Sequence, residues 1–518
     1  MKKWLSNAVF YEIYPQTFRD SNGDGIGDFQ GIIEKINYVK DMGFDGIWLN
    51  PCFSSPFYDA GYDVEDYYQA APRYGTNDDL KALFEEVHKR DMRILLDLVP
   101  GHTAVTCKWF RESMKADKNK YSDRYIWTNS IGKTCDGIKE LSGSLRGFSE
   151  RDGCCGVNYY STQPALNYGF AKITEDWQCS VDSPEASDTR VELINIMKFW
   201  LSEGCDGFRV DMADFIIKND DENKTETVRF WQKVLNVIKK EYPEAIFVSE
   251  WGSPKQALKA GFDMDFMLPK QVTRYADLFL TPNSYFTKDA EKSPQEWLRI
   301  YLDNLKNTKN CGYIALISGN HDGSSRVTST VGEVAARIVY AFIFSMPGVP
   351  FMYYGDEIGM NFISGLKSVE GSYYRTGCRT PMQWDDTDNA GFSNADSDKL
   401  YLPVDANPER PTVEKQKNDI NSILNTVKRL IKIRKENIEL QADADFVPVC
   451  IHNGYPFVYK RSINGKSILI CLNPSDKDAV CWLEEELGEV IFEYNGVCRK
   501  DGKKLIVPAE SASYVRVM

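Results

Sequence analysis

RILLDLVPGH (93–102) is an apolar run that contains an aspartate and ends in a proline–glycine turn and a histidine. A short apolar run bounded by turn residues is typical of a strand buried on both faces, as in a parallel sheet. Seven further runs alternate with longer helical patterns, and this alternation predicts repeated βα units. They are AVFYEIY (8–14), DGIWLN (45–50), GFRV (207–210), AIFVSE (245–250), MDFML (264–268), GYIALIS (312–318) and VPFMYY (349–354).

The segments between these runs carry the spacing of amphipathic helices. Examples are DDLKALFEEVHKR (78–90) and TRVELINIMKFWLSEG (189–204). No glycine-rich phosphate loop follows the first strand, which disfavours an open doubly wound sheet. The sequence therefore predicts an α/β fold, a (β/α)₈ barrel of the TIM-barrel type.

Two parts of the chain do not fit a simple barrel. About a hundred residues, rich in Gly, Ser, Cys and Tyr, separate the third strand from the fourth, and connections of this length are functional insertions or small domains. After a helix, SILNTVKRLIKIRKEN (422–437), the chain continues with short β-patterned runs. We predict a barrel at 1–103 and 171–437, an inserted domain at 104–170, and a C-terminal antiparallel β-sandwich at 438–518.

Charge and composition limit which binding partners and which cellular compartment are expected. The net charge of −13 argues against nucleic acid or an anionic membrane as a partner. The N-terminus has no apolar run that would indicate a signal peptide, and no uninterrupted apolar stretch is long enough to span a bilayer. Thirteen cysteines without metal-type CxxC pairs are read as reduced thiols, which predicts a cytoplasmic protein. Oligomeric state is left unpredicted.

Acids and histidines stand at the ends of four predicted strands, in DLVPGH (97–102), GFRVDMAD (207–214), FVSEWG (247–252) and SGNHD (318–322). The C-terminal ends of barrel strands form the active-site face, so Asp211 and Glu250 are expected to be neighbours there. Paired carboxylates of this kind suit a retaining cleavage of a glycosidic bond. We predict Asp211 as nucleophile, kept ionised by Arg209, with Glu250 as general acid and base. Asp322 would hold substrate hydroxyls.

A structural explanation competes with this prediction. A single aspartate after a strand is more often a helix N-cap than a catalyst, and Asp97 could serve only to brace Arg209. The catalytic interpretation is favoured because four strand ends agree. In addition, His102 and His321 are two of only four histidines in the chain, and neutral imidazoles can bind sugar hydroxyls.

A further cluster, DSNGDGIGD (20–28), places oxygen donors at alternate positions: Asp20, Asn22, Asp24, the carbonyl of Ile26, and Asp28. Gly25 lies at the sixth position, where a calcium loop makes its tight turn, but Gly31 replaces the bidentate Glu of an EF-hand. The alternative is an Asx-rich turn without metal. We favour one structural Ca²⁺ or Mg²⁺, and no organic cofactor.

Together these motifs resemble glycoside hydrolase family 13, the α-amylase family, and most closely its oligo-1,6-glucosidase and α-glucosidase branch. The four strand-end segments look like the first four conserved regions of the family. QPALNY (163–168) is similar to the fifth, and DAGYD (59–63), RTPMQW (379–384) and AGFS (390–393) have counterparts in that branch. The resemblance runs from about residue 5 to 440.

The resemblance implies roles for individual residues. Asp211 would be the nucleophile, Glu250 the acid/base and Asp322 the stabiliser of the transition state. Substrate binding would fall to Asp59, Tyr62, His102, Gln163, Arg209, His321 and Arg379. Within this set Tyr62 would stack on the sugar, and Asp59 with Arg379 would clamp the non-reducing end, as in exo-acting members.

Departures from the family pattern refine the expected activity. Gly101 replaces an Asn that binds calcium in α-amylases, Ala165 replaces an acidic residue of QPDLN, and Ala213–Asp214 replace a Lys-His pair that grips long chains. Met212 does not indicate either α-1,4 or α-1,6 linkages. The expectation is an exo-acting α-glucosidase for short oligosaccharides or disaccharides, with a transglucosidase or isomerase such as trehalose synthase as the alternative. An endo-amylase and a non-catalytic barrel are disfavoured.

Overall fold

The computed structural model describes residues 2–147, 149–269 and 272–517. Eight parallel strands close into a barrel, in which β1 pairs with β8 as well as with β2. They are β1 (Phe10–Ile13), β2 (Gly46–Leu49), β3 (Arg93–Leu98), β4 (Gly207–Val210), β5 (Ile246–Ser249), β6 (Met264–Phe266), β7 (Tyr313–Ile317) and β8 (Val349–Tyr353). Each predicted strand contains one of these strands, so the predicted (β/α)₈ barrel is confirmed.

A helix follows each barrel strand in the chain. They are α1 (Phe29–Met42), α2 (Asn77–His88), α3 (Pro184–Glu203), α4 (Thr225–Glu241), α5 (Pro254–Lys259), α6 (Gln295–Thr308), α7 (Val327–Ser345) and α8 (Ile423–Glu436). Local sequence explains where they begin and end: the Asp28 side chain caps α1 by accepting the amide of Gly31, and Gly43 ends it in the left-handed region.

Gly207 shows how closely two barrel strands approach at the site. Its φ is +148°, and a Cβ there would lie 1.9 Å from the carbonyl oxygen of Ile246. Only glycine fits this contact without moving β5. The same short strand, β4, carries Arg209 and leads into Asp211.

The chain between β3 and α3 forms small elements of its own. A helix at Lys108–Ser113 precedes a two-stranded antiparallel pair, Gly143–Arg146 with Cys154–Val157, and an isolated bridge joins His102 to Ala165. A second short pair, Phe53–Ser54 with Asp66–Ala70, follows β2. The boundaries assigned to the inserted domain, the barrel and the C-terminal domain stay predictions.

Two antiparallel sheets form the C-terminal part of the chain and confirm the predicted sandwich. The strands are β9 (Asp445–Cys450), β10 (Phe457–Ile463), β11 (Lys466–Asn473), β12 (Ala479–Trp482), β13 (Leu487–Tyr494), β14 (Arg499–Asp501), β15 (Lys504–Val507) and β16 (Ser511–Val517). One sheet has the order β9-β10-β11-β16-β13 and the other β12-β15-β14.

Alternate residues of β11 serve two cores, as the period of a strand requires. Leu469 and Cys471 pack between the two sheets. Ile468, Ile470 and Leu472 belong instead to the core shared with the barrel. The five-stranded sheet is therefore buried on both faces and joins the C-terminal part to the barrel.

The helix α7 lies at this junction. In the described part of the chain it is a helix long and apolar enough to cross a membrane by length and composition alone. Here it is mostly buried: Phe342 meets Phe457 at 5.8 Å between ring centroids, and the Tyr514 hydroxyl donates to the carbonyl of Ala341 at 2.5 Å. A helix enclosed on most sides by protein is expected to be apolar around its circumference.

Candidate active site

A cavity of about 430 Å³ opens at the C-terminal ends of the barrel strands. Seven residues that the sequence analysis selected line it: Asp59, Tyr62, His102, Gln163, Asp211, Glu250 and Asp322. They come from separate segments of the chain, and the barrel brings them to one mouth, where sites of this fold are expected. The roles assigned to these residues stay predictions.

Arg209, at the third position of β4, is the centre of the acidic cluster. Its Nη1 lies 2.8 Å from Asp97 Oδ1 and 2.9 Å from Asp211 Oδ1. Its Nη2 lies 2.7 Å from Glu250 Oε2. One guanidinium therefore binds three carboxyl groups and holds Asp211 and Glu250 side by side. The contact with Asp97 agrees with its role as a brace, and Asp97 lies behind the cavity.

Three acids around one cation cannot all be ionised at low cost. Burial raises the pKa of Asp211 well above its usual range; Arg209 opposes this rise, and the charges of Glu250, Asp97 and Asp322 add to it. Burial likewise raises the pKa of Asp97 to about 6, again against Arg209. Asp211 is thus a carboxylate with a raised proton affinity, and Arg209, which was predicted to keep it ionised, acts against the effect of burial.

Met212 connects the two predicted catalytic acids through the backbone. It adopts the left-handed region, with φ 42° and ψ 45°, which is costly for a residue that carries a side chain. In this conformation its amide donates to Glu250 Oε2 at 3.2 Å. The strained turn after Asp211 therefore helps to orient Glu250.

Asp322 lies across the cavity in a cationic environment. Arg375 Nη1 is 2.8 Å and Arg379 Nη2 is 3.3 Å from its Oδ1, and His321 Nε2 is 3.5 Å from Oδ2. Burial acts to raise the pKa of Asp322, but the charges of Arg375 and Arg379 outweigh it and hold that pKa below its usual range. Asp322 therefore stays ionised at pH values at which Asp211 takes up a proton more easily.

Asp59 and Arg379 were predicted to clamp the non-reducing end of the substrate, and of these two Asp59 lines the cavity. Arg375, not Arg379, pairs with Asp59, at 2.9 Å between Nη2 and Oδ1. Gln163 Nε2 donates to the other oxygen of Asp59 at 2.9 Å. Arg379 is fully buried, and its Nε donates to the carbonyl of His321 at 2.8 Å. The side chain of Arg379 therefore supports the segment that carries Asp322, through the His321 carbonyl and through Asp322 Oδ1 at 3.3 Å.

Arg209 and His321 were predicted to bind sugar hydroxyls, and Arg379 to clamp the non-reducing end. All three are almost completely buried, and the residues lining the cavity do not include them. They lie directly behind the lining residues and position them. His321 Nε2, for example, lies 2.5 Å from the hydroxyl of the lining residue Tyr62 and 3.5 Å from Oδ2 of the lining residue Asp322.

His102 does reach the cavity, as predicted, and is held by the inserted segment. Its Nε2 lies 2.9 Å from the carbonyl of Tyr62, and its Nδ1 lies 3.1 Å from Asn158 Nδ2. Burial lowers the pKa of His102 to about 4, so the ring is neutral at neutral pH. A Cβ at Gly101 would lie 2.8 Å from the same Asn158 amide, which explains locally why a glycine precedes this histidine.

Several lining residues were not anticipated from the sequence: Tyr159, Phe215, Leu268, Asn320, Tyr374 and Arg375. Tyr159 and Tyr374 flank the opening and are 53% and 65% exposed. The available signal for Arg375 was the run YYRTGCRT (373–380), which holds two arginines four residues apart. Two aromatic residues before an arginine in a loop are typical of a ligand-binding surface.

The loop predicted to hold a metal is closed by its own amides. Asp20 accepts from the amides of Asn22, Gly23 and Gly25 and from the Ser393 hydroxyl. Asn22 and Asp24 each accept one amide two residues ahead. These oxygens have the chemistry that Ca²⁺ prefers, and Asn22 and Asp24 keep free acceptor capacity. Across the described residues, however, no three acidic, histidine or cysteine side chains come together as metal ligands.

Comparison with known proteins places this site in a family. The model of the alpha-amylase catalytic domain matches residues 12–443. An oligo-1,6-glucosidase of Parageobacillus thermoglucosidasius is 29% identical over 93% of this chain and 92% of its own. The trehalose synthase/amylase TreS of Mycobacterium tuberculosis is 28% identical over 91% of this chain and 82% of its own.

The fold has a counterpart among solved structures. The trehalulose synthase MutB from Pseudomonas mesoacidophila MX-45 superposes with a TM-score of 0.82 at 24% identity, over 99% of each chain. The matched span of the family model includes every acid described above. The chain therefore belongs to the α-amylase family of glycoside hydrolases, glycoside hydrolase family 13.

Proposed function

We propose that this enzyme releases glucose from the non-reducing end of short α-glucosides by a retaining mechanism. The observation that carries the proposal is the single guanidinium of Arg209, which holds Asp211 and Glu250 on adjacent nitrogens. Carboxyl groups held on adjacent nitrogens of one guanidinium favour the short separation of a retaining mechanism over the wider one that admits a water molecule in an inverting mechanism.

In this mechanism Asp211 attacks the anomeric carbon while Glu250 gives its proton to the leaving oxygen. The glucosyl group is then bound to Asp211 as an ester. Glu250, now ionised, takes a proton from water, which attacks the same carbon and releases glucose and Asp211. Asp322, held ionised by Arg375 and Arg379, stabilises the positive charge that develops on the sugar ring.

The exo-acting character rests on the ion pair of Asp59 with Arg375. Together with Gln163 this pair lies in the cavity wall, where it would bind the terminal sugar hydroxyls and leave no path for a longer chain. Tyr159 and Tyr374, at the open side, offer aromatic faces to a second sugar ring. The substrate class is therefore a disaccharide or short oligosaccharide.

A transglucosidase or isomerase is the second candidate. Hydrolysis and transfer share the ester on Asp211 and differ in whether water or a sugar hydroxyl attacks it. The similarity to a trehalose synthase/amylase supports this candidate. The exposed tyrosines at the opening would equally retain an acceptor sugar, so products decide between the two.

The decisive experiment is a product analysis over maltose, isomaltose, sucrose, trehalose, panose and starch. We expect glucose from the short substrates and little action on starch; trehalose or longer products as the main outcome would establish transfer.

In the same panel Asp59→Asn should raise KM for the disaccharides about tenfold or more, since a charge-assisted pair in the cavity wall is lost. Asp78→Asn, the same change at a carboxylate that is 94% exposed, is the matched control. Equal behaviour of the two variants would remove the basis for the exo-acting clamp.

We also propose that the loop at 20–28 binds one Ca²⁺, or Mg²⁺, in a structural role. The support is the spacing of its oxygen donors together with the acceptor capacity left on Asn22 and Asp24. Saturating Ca²⁺ should raise Tm by a few degrees relative to EDTA, because a ligand of the native state stabilises it, and Asp24→Asn should reduce that rise. An unchanged Tm and no heat of binding in calorimetry would identify the loop as an Asx turn that needs no metal.

A cytoplasmic location is proposed on the state of the cysteines. All thirteen are free thiols, and nine of them are buried. A chain that carries so many unpaired thiols suits a reducing compartment.

A further inference from the structure

Glu12 is a buried carboxyl group that the proposed mechanism does not use. It lies on β1 beneath the cavity, is 1% exposed, and its Oε1 is 2.7 Å from His321 Nδ1. Within the described residues no donor reaches its Oε2. An ionised carboxylate with one bare oxygen would be costly in such a place.

Glu12 begins a chain of short contacts that ends at Asp97. His321 Nε2 lies 2.5 Å from the Tyr62 hydroxyl, which lies 3.0 Å from Asp97 Oδ2. Burial lowers the pKa of His321 well below its usual range, so its ring is neutral. With a neutral ring and one proton in each link, one of the two terminal acids is protonated and the other ionised. The proton is on Glu12 if His321 carries hydrogen on Nε2, and on Asp97 if His321 carries it on Nδ1.

The surroundings of the two acids decide between these arrangements. Asp97 contacts the guanidinium of Arg209 at 2.8 Å and accepts from Trp48 Nε1 at 3.1 Å, and both contacts favour the ionised form. Glu12 pairs with no Lys or Arg among the described residues, and burial outweighs the groups that act to lower its pKa: a hydrogen bond from Asn50, the charge of Arg209 and the backbone of His321. Asn50 Nδ2 also lies 3.0 Å from Nδ1 of His321, a contact that an unprotonated nitrogen tolerates and a protonated one does not.

We propose that Glu12 is a positioning residue whose protonated carboxyl donates to Nδ1 of His321 and so fixes this histidine as an Nε2–H donor facing Tyr62. Tyr62 then accepts from His321 and donates to Asp97, which stays ionised and paired with Arg209. Burial, the largest influence on Glu12, raises its pKa well above the usual range and agrees with this arrangement. The charged groups that act on the chain are Asp97, Arg209, Asp322, Arg375 and Arg379.

The first test is the tautomer of His321, read by ¹⁵N NMR of the imidazole nitrogens. The chain has only four histidines, so the His321 signals can be assigned from a His321→Gln sample. We expect an unprotonated Nδ1 and a protonated Nε2 at neutral pH. A protonated Nδ1 in the wild type would overturn the proposal. This measurement needs no substrate, so its outcome is separate from that of the proposed activity.

The second test compares Glu12→Gln with Glu12→Met. Gln is neutral like the protonated acid and can donate to Nδ1, so the tautomer, kcat/KM and the pH profile should all be preserved. Met cannot donate, and loss of a residue that orients others typically lowers activity about 10- to 100-fold. If Glu12 were ionised, Glu12→Gln would remove a negative charge beside the acids and lower their pKa values. The acid limb of kcat/KM would then move to lower pH, which would contradict the proposal even if Glu12→Met did not fold.

Discussion

Asp211→Asn is expected to lower kcat by about 10⁴-fold or more, because without the nucleophile no glucosyl ester can form on the enzyme. The amide is nearly the same size as the carboxyl, and its oxygen can still accept from Arg209, which contacts Asp211 Oδ1 at 2.9 Å. We therefore expect an unchanged melting temperature and retained binding of glucose. Steady-state kinetics on maltose and isomaltose, with calorimetry for sugar binding, measure both effects.

The ester itself provides the independent check. With a fluorinated α-glucosyl fluoride the glucosyl ester forms faster than the ester is hydrolysed, so the ester accumulates. Mass spectrometry of peptides should then find the fluoroglucosyl group on Asp211 in the wild type and no such group in Asp211→Asn. Label on another acid would refute the assignment.

The pH dependence of the wild type gives a further prediction. The nucleophile must be ionised, and burial raises its pKa. We therefore expect kcat/KM to fall as pH decreases through that raised pKa, which lies above the pKa of an exposed Asp, about 3.9.

The parts of the site that could be predicted are those carried by barrel strands. Asp211, Glu250 and Asp322 each follow a short apolar strand, and parallel strands in a closed barrel end at the same face. Strand periodicity is a local property, so it can be read from the sequence without knowing the neighbours. Even the face of Arg209 follows, since residues two apart in a strand point the same way.

Arg375 could not be found in this way. It lies in a short 3₁₀ helix, Tyr373–Cys378, within a segment that lacks the apolar periodicity of the barrel elements, and it meets Asp59, which is 316 residues away in the chain. The path of that segment depends on tertiary contacts, such as the donation of Arg375 Nη1 to Asp322 Oδ1 at 2.8 Å. The motif arginine Arg379 was the one that the sequence predicted for the clamp, whereas Arg375, four residues earlier, contacts Asp59.

Glu12 illustrates a second limit. Its place in a buried strand was predictable, but its partner, His321, is 309 residues away. Whether such a buried acid is ionised depends on which groups surround it from other strands. A sequence pattern therefore predicts that Glu12 is buried, but it does not predict whether the buried carboxyl group is protonated.

Glu250→Gln should separate the two steps of the proposed mechanism. The amide oxygen can keep both contacts of Glu250 Oε2, with Arg209 at 2.7 Å and the Met212 amide at 3.2 Å, but the side chain no longer transfers a proton. Loss of general acid and base catalysis costs about 10²- to 10⁴-fold, and the full loss is expected on maltose, whose leaving group needs protonation.

An aryl α-glucoside with an acidic phenol as leaving group needs no proton, so its first step should be nearly unaffected in Glu250→Gln. The ester on Asp211 should then accumulate, visible as a burst of phenol followed by slow turnover. Azide, a nucleophile that needs no general base, should restore turnover and give the α-glucosyl azide, because it attacks from the face that the phenol left. An equal loss on maltose and on the aryl glucoside, with no burst and no azide product, would mean that Glu250 orients the site through Arg209 rather than transferring the proton.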